Sequence, residues 1–188
     1  MIEKHIVSRD DSIYEAFPDL ALTPSGRLVC VFAECTHHRD RSYTRIALTT
    51  SEDRGRTWSP KWPLSEALTG DGKSQPWWNC ARISTLSDGR LAVLCDRIAG
   101  RDEGNAGGEQ STWLWLSRDE GETWDGPQET PAFGIVPDQL IELRSGQHAG
   151  RWILTVHARR EAHETHLWSV RCWHSDDQGQ TWSLPYQI

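Results

Sequence analysis

Ser51-Glu52-Asp53-Arg54-Gly55-Arg56-Thr57-Trp58 reads as a tight turn, and it returns twice, as Ser117-Arg118-Asp119-Glu120-Gly121-Glu122-Thr123-Trp124 and as Ser175-Asp176-Asp177-Gln178-Gly179-Gln180-Thr181-Trp182. Five of the eight places agree in all three copies. Ser and Asp side chains at this spacing accept bonds from backbone N–H groups of the loop, Gly supplies a positive φ, and Trp folds back as an apolar plug. The structural set is therefore Ser51, Asp53, Gly55 and Trp58, then Ser117, Asp119, Gly121 and Trp124, then Ser175, Asp177, Gly179 and Trp182. Successive aspartates lie 66 and 58 residues apart, room for a four-stranded unit rather than a simple hairpin.

The residues ahead of each turn repeat as well. Phe17-Pro18-Asp19-Leu20-Ala21-Leu22 leads to Ser25-Gly26-Arg27-Leu28 and the apolar run Val29-Cys30-Val31-Phe32. Ala81 to Leu86 leads to Asp88-Gly89-Arg90-Leu91 and Ala92-Val93-Leu94-Cys95, and Val136 to Leu143 leads through a longer turn to Arg151-Trp152-Ile153-Leu154. Each unit reads as strand, Gly turn, buried strand, loop, strand, box. The units span about 12–62, 75–128 and 133–186, and residues 1–10 suit a strand that closes a last blade. Thr112 to Leu116 and Leu167 to Trp173 are rich in residues suited to a pleated surface. Only Ser65 to Thr69 has a helical cast, and it is too short to form a helix alone. The class is all-β.

These turns resemble the Asp-boxes of sialidases and related BNR-repeat proteins, and the resemblance covers nearly the whole chain. It implies a sialidase-like six-bladed β-propeller of which these 188 residues supply about three blades, since six such units need roughly 350 residues. It also implies a sialidase-like glycoside hydrolase working on a terminal sugar in the central funnel, with no cofactor. Missing C-terminal blades, or self-association through raw sheet edges, are then expected.

Composition narrows the classes further. A net charge of −7 without a basic patch argues against nucleic-acid and anionic-membrane partners. No apolar run approaches the roughly 20 residues of a membrane helix and the start lacks a signal-peptide core, so the chain as written reads as cytoplasmic. Five cysteines without paired short spacings suggest neither a disulfide framework nor a zinc site, and Cys30, Cys80, Cys95 and Cys172 read as small buried hydrophobes.

The richest patch of titratable groups is Ala33 to Tyr43, which contains Glu34, His37, His38, Arg39, Asp40 and Arg41. In sialidases the matching loop carries the acid/base aspartate, and Asp40 looks like that residue; the role requires a carboxyl whose pKa is raised by its surroundings. The plain alternative is a loop carboxylate paired with Arg39 or Arg41. The family's first carboxylate-clamping arginine, before Ile-Pro, is absent: Ala16 stands there, ahead of Phe17-Pro18. Arg82 or another funnel arginine then replaces it, or the sugar differs.

Asp19 and Arg82, with Asp138 or Gln139 in the third unit, hold related places before their turn glycines, and Asp96, Arg97, His157 and Arg159 follow the second strands, so Asp19, Arg82, Asp138, Asp96, Arg97, His157 and Arg159 are expected to face the funnel and contact sugar. Capping of backbone N–H groups, or an Asp96–Arg97 ion pair, is the structural alternative. A metal reading of His37 with His38, or of His157, His163 and His166, fails on spacing, because neighbours on an extended chain point to opposite sides. His37 and His38 are instead candidates for bonding sugar hydroxyls. Trp77 and Trp78 either stack on a pyranose or pack in the core. Gly100 to Gly108 reads as a loop over one face. Two other functions remain open: a non-catalytic carbohydrate- or protein-binding propeller, and a polysaccharide lyase using His37 or His38 with Tyr43.

Overall fold

The computed structural model describes residues 3–71, 74–99, 110–159 and 168–187; the Gly100 to Gly108 loop, His163 and His166 lie outside them, as does the side chain of Arg159. Among the described residues the regular structure is entirely strand, in three antiparallel sheets. The first contains β1 (Tyr14–Leu22), β2 (Leu28–His37), β3 (Asp40–Ser51) and β4 (Trp62–Pro63), with β5 (Leu68–Thr69) also on β3. The second is β6 (Trp77–Thr85), β7 (Leu91–Ile98), β8 (Gln110–Ser117) and β9 (Asp125–Glu129). The third is β10 (Ile141–Glu142), β11 (Trp152–Arg159), β12 (Trp168–Ser175) and β13 (Tyr186–Gln187). Each sheet is a meander in chain order, so every connection is short and local.

Alternation along the strands buries the facing sides of neighbouring sheets. Val29, Val31, Ala33, Ile46 and Leu48 meet Trp78, Ile83, Leu91, Val93 and Trp115 between the first and second sheets. Ala92, Leu94 and Leu114 meet Trp152, Leu154, Val156 and Trp173 between the second and third. Trp78, Trp115, Trp152 and Trp173 are fully buried, which removes Trp78 from any sugar-stacking role. All five cysteines are buried and free, Cys35 included; burial pushes the Cys30 thiol up to about 12.

Local expectations differ from the structure in three places. The Ser65 to Thr69 stretch ends in the two-residue β5, because Leu68 and Thr69 find partners in Thr44 and Tyr43. The inner strand of the third unit shrinks to Ile141–Glu142 plus an isolated Ile135–His157 bridge, and Pro137, which has no N–H to donate, lies between them. Residues 3–13 form no strand; Val7 packs on Cys30, Phe32 and Ala47, while Lys61 gathers Asp10, Glu15 and the buried Glu34.

The three boxes are nearly superposable in their bonds. The Ser51, Ser117 and Ser175 hydroxyls each accept the N–H of the box glycine at 2.8 Å and donate to the box aspartate at 2.8–2.9 Å. Asp53, Asp119 and Asp177 each accept the backbone N–H of the box threonine at 2.8 Å. These donors pull Asp53 and Asp177 down to about 2 and lower Asp119. Glycine is required at the fifth place, where φ is 83°, 91° and 86°. The boxes share one end of the sheets with the β1–β2 and β6–β7 turns, because Leu28 pairs with Ser51 and Leu91 with Ser117. The β2–β3 hairpin lies at the opposite end, which is called the rim below.

Candidate funnel and rim site

Each inner strand breaks its register at the same place. Between Ala16 and Asp19 on β1, and between Trp78 and Ala81 on β6, a bulge turns the chain. Phe17 and Val136, each before a proline, take φ of 54° and 50°, so the third unit bends at the equivalent point. Aligned on these bulges and on the partner strands, Ala16, Asn79 and Ile135 hold one position, and Asp19, Arg82 and Asp138 another. No arginine stands at the Ala16 position in any of the three units.

Asp19 and Asp96 are structural ties. Asp19 accepts the N–H of Ile83 at 2.9 Å and both of its oxygens are bonded by Gln139 Nε2, at 2.9 and 3.1 Å, so one carboxylate on β1 ties β6 to the segment ahead of β10. Asp96 has no exposed surface; it accepts Asn79 Nδ2, Cys80 N and Val136 N, each at 2.9 Å. It thereby ties the bulge of the second sheet to the bend of the third. Burial raises its pKa against the lowering effect of these bonds. Neither group has an oxygen left for a sugar. Arg97 makes no ion pair with Asp96, because adjacent strand residues face opposite ways; it lies over Trp113, 4.9 Å from the ring centroid.

Three other expected residues do meet. Arg82, Asp138 and His157 line one cavity of about 230 Å³ with Val136, Pro137, Thr155 and Val170. Asp138 repeats the local bond of Asp19, accepting the N–H of the next residue at 2.9 Å, and otherwise stays exposed.

A second cluster sits on the rim. His37 and Asp40 close the β2–β3 hairpin as a pair, so His38 lies in the turn rather than on a strand. Both histidines therefore approach the same ring: Tyr14 is 5.9 Å from His37 and 6.0 Å from His38, and Phe17 is 6.1 Å from His38. The sequence reading had them diverge, and the turn overrides it. Tyr43, the lyase partner, instead pairs with Thr69 on the edge strand.

Arg41, which the sequence offered only as a counter-ion for Asp40, is 9% exposed and turns under the rim. Its guanidinium lies 5.0 Å from the Trp77 ring centroid and 5.8 Å from that of Phe17, and Nη1 donates to Cys35 Sγ at 3.0 Å. No carboxylate pairs with it among the described residues. Trp77, 4% exposed, is thus covered by an arginine rather than free to stack on a pyranose. The signal that could have found Arg41 is alternation: on β3 it faces away from Asp40 and Ser42.

Asp40 is fully exposed at the hairpin base, and the Ser42 hydroxyl and N–H, the latter at 2.9 Å, hold its carboxyl below the ordinary range. An acid catalyst needs the opposite shift, so in this state Asp40 is an ionised carboxylate.

A family model described as BNR/Asp-box repeat matches residues 173–184, the third box. Among solved structures, a protein of unknown function from Dyadobacter fermentans is 21% identical with a TM-score of 0.68, over 95% of this chain and 56% of that one. The leech intramolecular trans-sialidase gives 12% and 0.73, over 99% and 45%. The Penicillium chrysogenum alpha-L-arabinanase gives 18% and 0.60, over 92% and 49%. The chain thus spans about half the length of these structures. It has the sialidase-like β-propeller fold, supplies about three of its blades and carries BNR/Asp-box repeats; its neighbours in fold include glycosidases.

Proposed function

We propose that this chain forms the acidic-sugar-recognising part of a sialidase-like glycoside hydrolase, with Arg41 as the carboxylate partner in place of the arginine missing at Ala16. One observation carries the reading: a guanidinium 9% exposed at the rim, whose contacts among the described residues are a thiol and the Phe17 and Trp77 ring faces. Guanidinium groups keep their charge, and a buried unpaired charge is costly, so such a site favours an anion that arrives from solution. A planar carboxylate suits the fork geometry of arginine. The leech neighbour's structure holds 2,7-anhydro-Neu5Ac, an acidic sugar, whereas the Penicillium neighbour's holds the neutral arabinobiose.

Asp40, the neighbouring residue on the hairpin, with its side chain on the opposite face of the strand from Arg41, is the candidate for the chemistry. Its carboxylate is held by Ser42, and release of those bonds on substrate binding would let its pKa rise toward an acid/base role. The same lowered pKa, together with the absence of an arginine at the Ala16, Asn79 and Ile135 position, favours a second reading in which the propeller binds acidic glycans without cleaving them.

Calorimetric titration of the wild-type chain and Arg41→Met with N-acetylneuraminate and with arabinose tests the recognition. Heat that saturates with the acidic sugar alone, and disappears in Arg41→Met, is expected. Equal responses to both sugars, or an unchanged response in the variant, would refute it. Turnover of sialosides by the assembled protein then separates hydrolase from binder.

A further inference from the structure

The rim carries a row of rings whose presence the carboxylate partner does not explain. From Arg41 the row runs outward: the guanidinium lies 5.8 Å from the Phe17 centroid, Phe17 is 6.1 Å from His38, His38 is 6.0 Å from Tyr14, and Tyr14 is 5.9 Å from His37. Burial falls along it. Arg41 is buried, Phe17 half-buried, Tyr14 38% exposed, and both histidines are exposed. Single apolar side chains on a surface need no explanation, but a contiguous row that starts at a binding group does.

Local structure fixes the row before any ligand arrives. Phe17 takes a φ of 54° at the β1 bulge, a conformation costly for a residue with a Cβ, and its ring there meets both Arg41 and His38. The register shift between Cys35 and His37, with the turn at His38, brings both imidazoles to Tyr14. Alternation on β1 sends the adjacent Glu15 elsewhere, to Ser8 and Lys61 at 2.7 Å each, which leaves Tyr14 with imidazoles rather than a carboxylate beside it.

An exposed ring flanked by imidazoles is apolar on its face and polar at its edges. His37 Nδ1 accepts the N–H of Arg39 at 3.3 Å, and among the described residues no hydrogen bond is made to its Nε2 or to either ring nitrogen of His38. A neutral pyranose has the complementary form: a face of C–H groups and a rim of hydroxyls that both donate and accept, as a neutral imidazole does. An alkyl chain would offer those nitrogens no partner. The hairpin agrees with this occupant. Asp40, the candidate acid, closes it opposite His37, and a leaving sugar must lie beside the acid that protonates it.

We propose that Tyr14, flanked by His37 and His38, is a second subsite, which stacks on a neutral pyranose joined to the acidic sugar held by Arg41. Tyr14 is then the specificity residue that reads what the acidic sugar is attached to. The proposal rests on the Arg41 reading, through the Phe17 and His38 rings that connect the two places.

Calorimetry with two probes tests it: the methyl α-glycoside of N-acetylneuraminate, and the same acid joined through sulfur to galactose, a linkage chosen to resist cleavage. The wild-type chain should bind the disaccharide about tenfold more tightly than the methyl glycoside, the size expected of one well-placed ring stack. Tyr14→Ala should abolish that gain and leave binding of the methyl glycoside as in wild type, whereas Tyr14→Phe, which keeps the ring, should keep the gain. Should Tyr14→Ala fail to fold, Tyr14→Thr, which suits a strand, gives the same comparison. Equal affinity of the wild type for both probes, a gain that survives loss of the ring, or equal weakening of both probes in Tyr14→Ala overturns the proposal and leaves Arg41 as the partner of the acid. Failure of the methyl glycoside to bind the wild type overturns the Arg41 reading, and this subsite with it.

Discussion

At the box end of the sheets one set of bonds appears three times: a serine hydroxyl at 2.8 Å from the glycine N–H, an aspartate at 2.8 Å from the threonine N–H. Toward the rim, one position of the second strand is Ala33 in the first sheet, Asp96 in the second and His157 in the third. The first packs, the second ties two bends together, and the third lines a cavity. Where a loop only has to satisfy its own backbone, one solution is copied; where blades converge on the funnel and rim, each position serves a different neighbour. Stability common to all blades therefore belongs to the box end and the cores, and the proposed ligand chemistry to the other end.

The largest effect that would sharpen this contrast is at Asp96. Asp96→Ala strands the Cys80 and Val136 N–H groups, each at a cost of about 1–3 kcal/mol, and chemical denaturation should show a loss of that size for each. A loss below 1 kcal/mol would mean that the tie is ornamental.

Next comes Asp40. Asp40→Asn should lower turnover of the assembled protein by roughly 10²–10⁴-fold, the range of general acid–base catalysis, while leaving sugar affinity and melting temperature unaltered. Loss of affinity alone would favour the binding-propeller reading.

A smaller effect concerns Arg41. Without ligand, Arg41→Met should hold or gain stability, by about 1 kcal/mol, since replacing a poorly compensated buried charge with an apolar chain is often favourable. A marked drop in melting temperature would assign Arg41 to packing and remove its claim to an anion.

The smallest expected signal separates the two ends by pH. The box aspartates are lowered in the fold, so their contribution is present above the ordinary carboxylate range and is lost as pH falls through about 2. Asp96 is raised, so protonation at falling pH favours the fold and its contribution is lost as pH rises through its folded value. Asp96→Asn should therefore flatten the mildly acidic part of a stability profile and leave the strongly acidic part, carried by the boxes, unchanged.

The same contrast explains what could be read in advance. The boxes were legible because the Ser and Asp side chains accept backbone N–H groups, those of Gly and Thr, within four residues. The strands followed from alternation, and the sialidase-like fold from three boxes at blade spacing. Asp19 was not legible: its partners Ile83 and Gln139 lie 64 and 120 residues away. Arg41 was misplaced beside Asp40 because a dense run of charges hides the strand alternation that sends the two side chains apart, and the histidines were separated because the turn at His38 leaves no trace in their adjacency.

Eleven tryptophans spread over both ends make the decisive measurement direct. Indole N–H resonances of the chain, followed while N-acetylneuraminate is added, should show Trp77 moving saturably, with Trp58, Trp124 and Trp182 of the boxes fixed and no movement in Arg41→Met. Shifts confined to the box tryptophans, or a Trp77 signal that moves equally without the Arg41 guanidinium, would contradict the assignment of recognition to the rim.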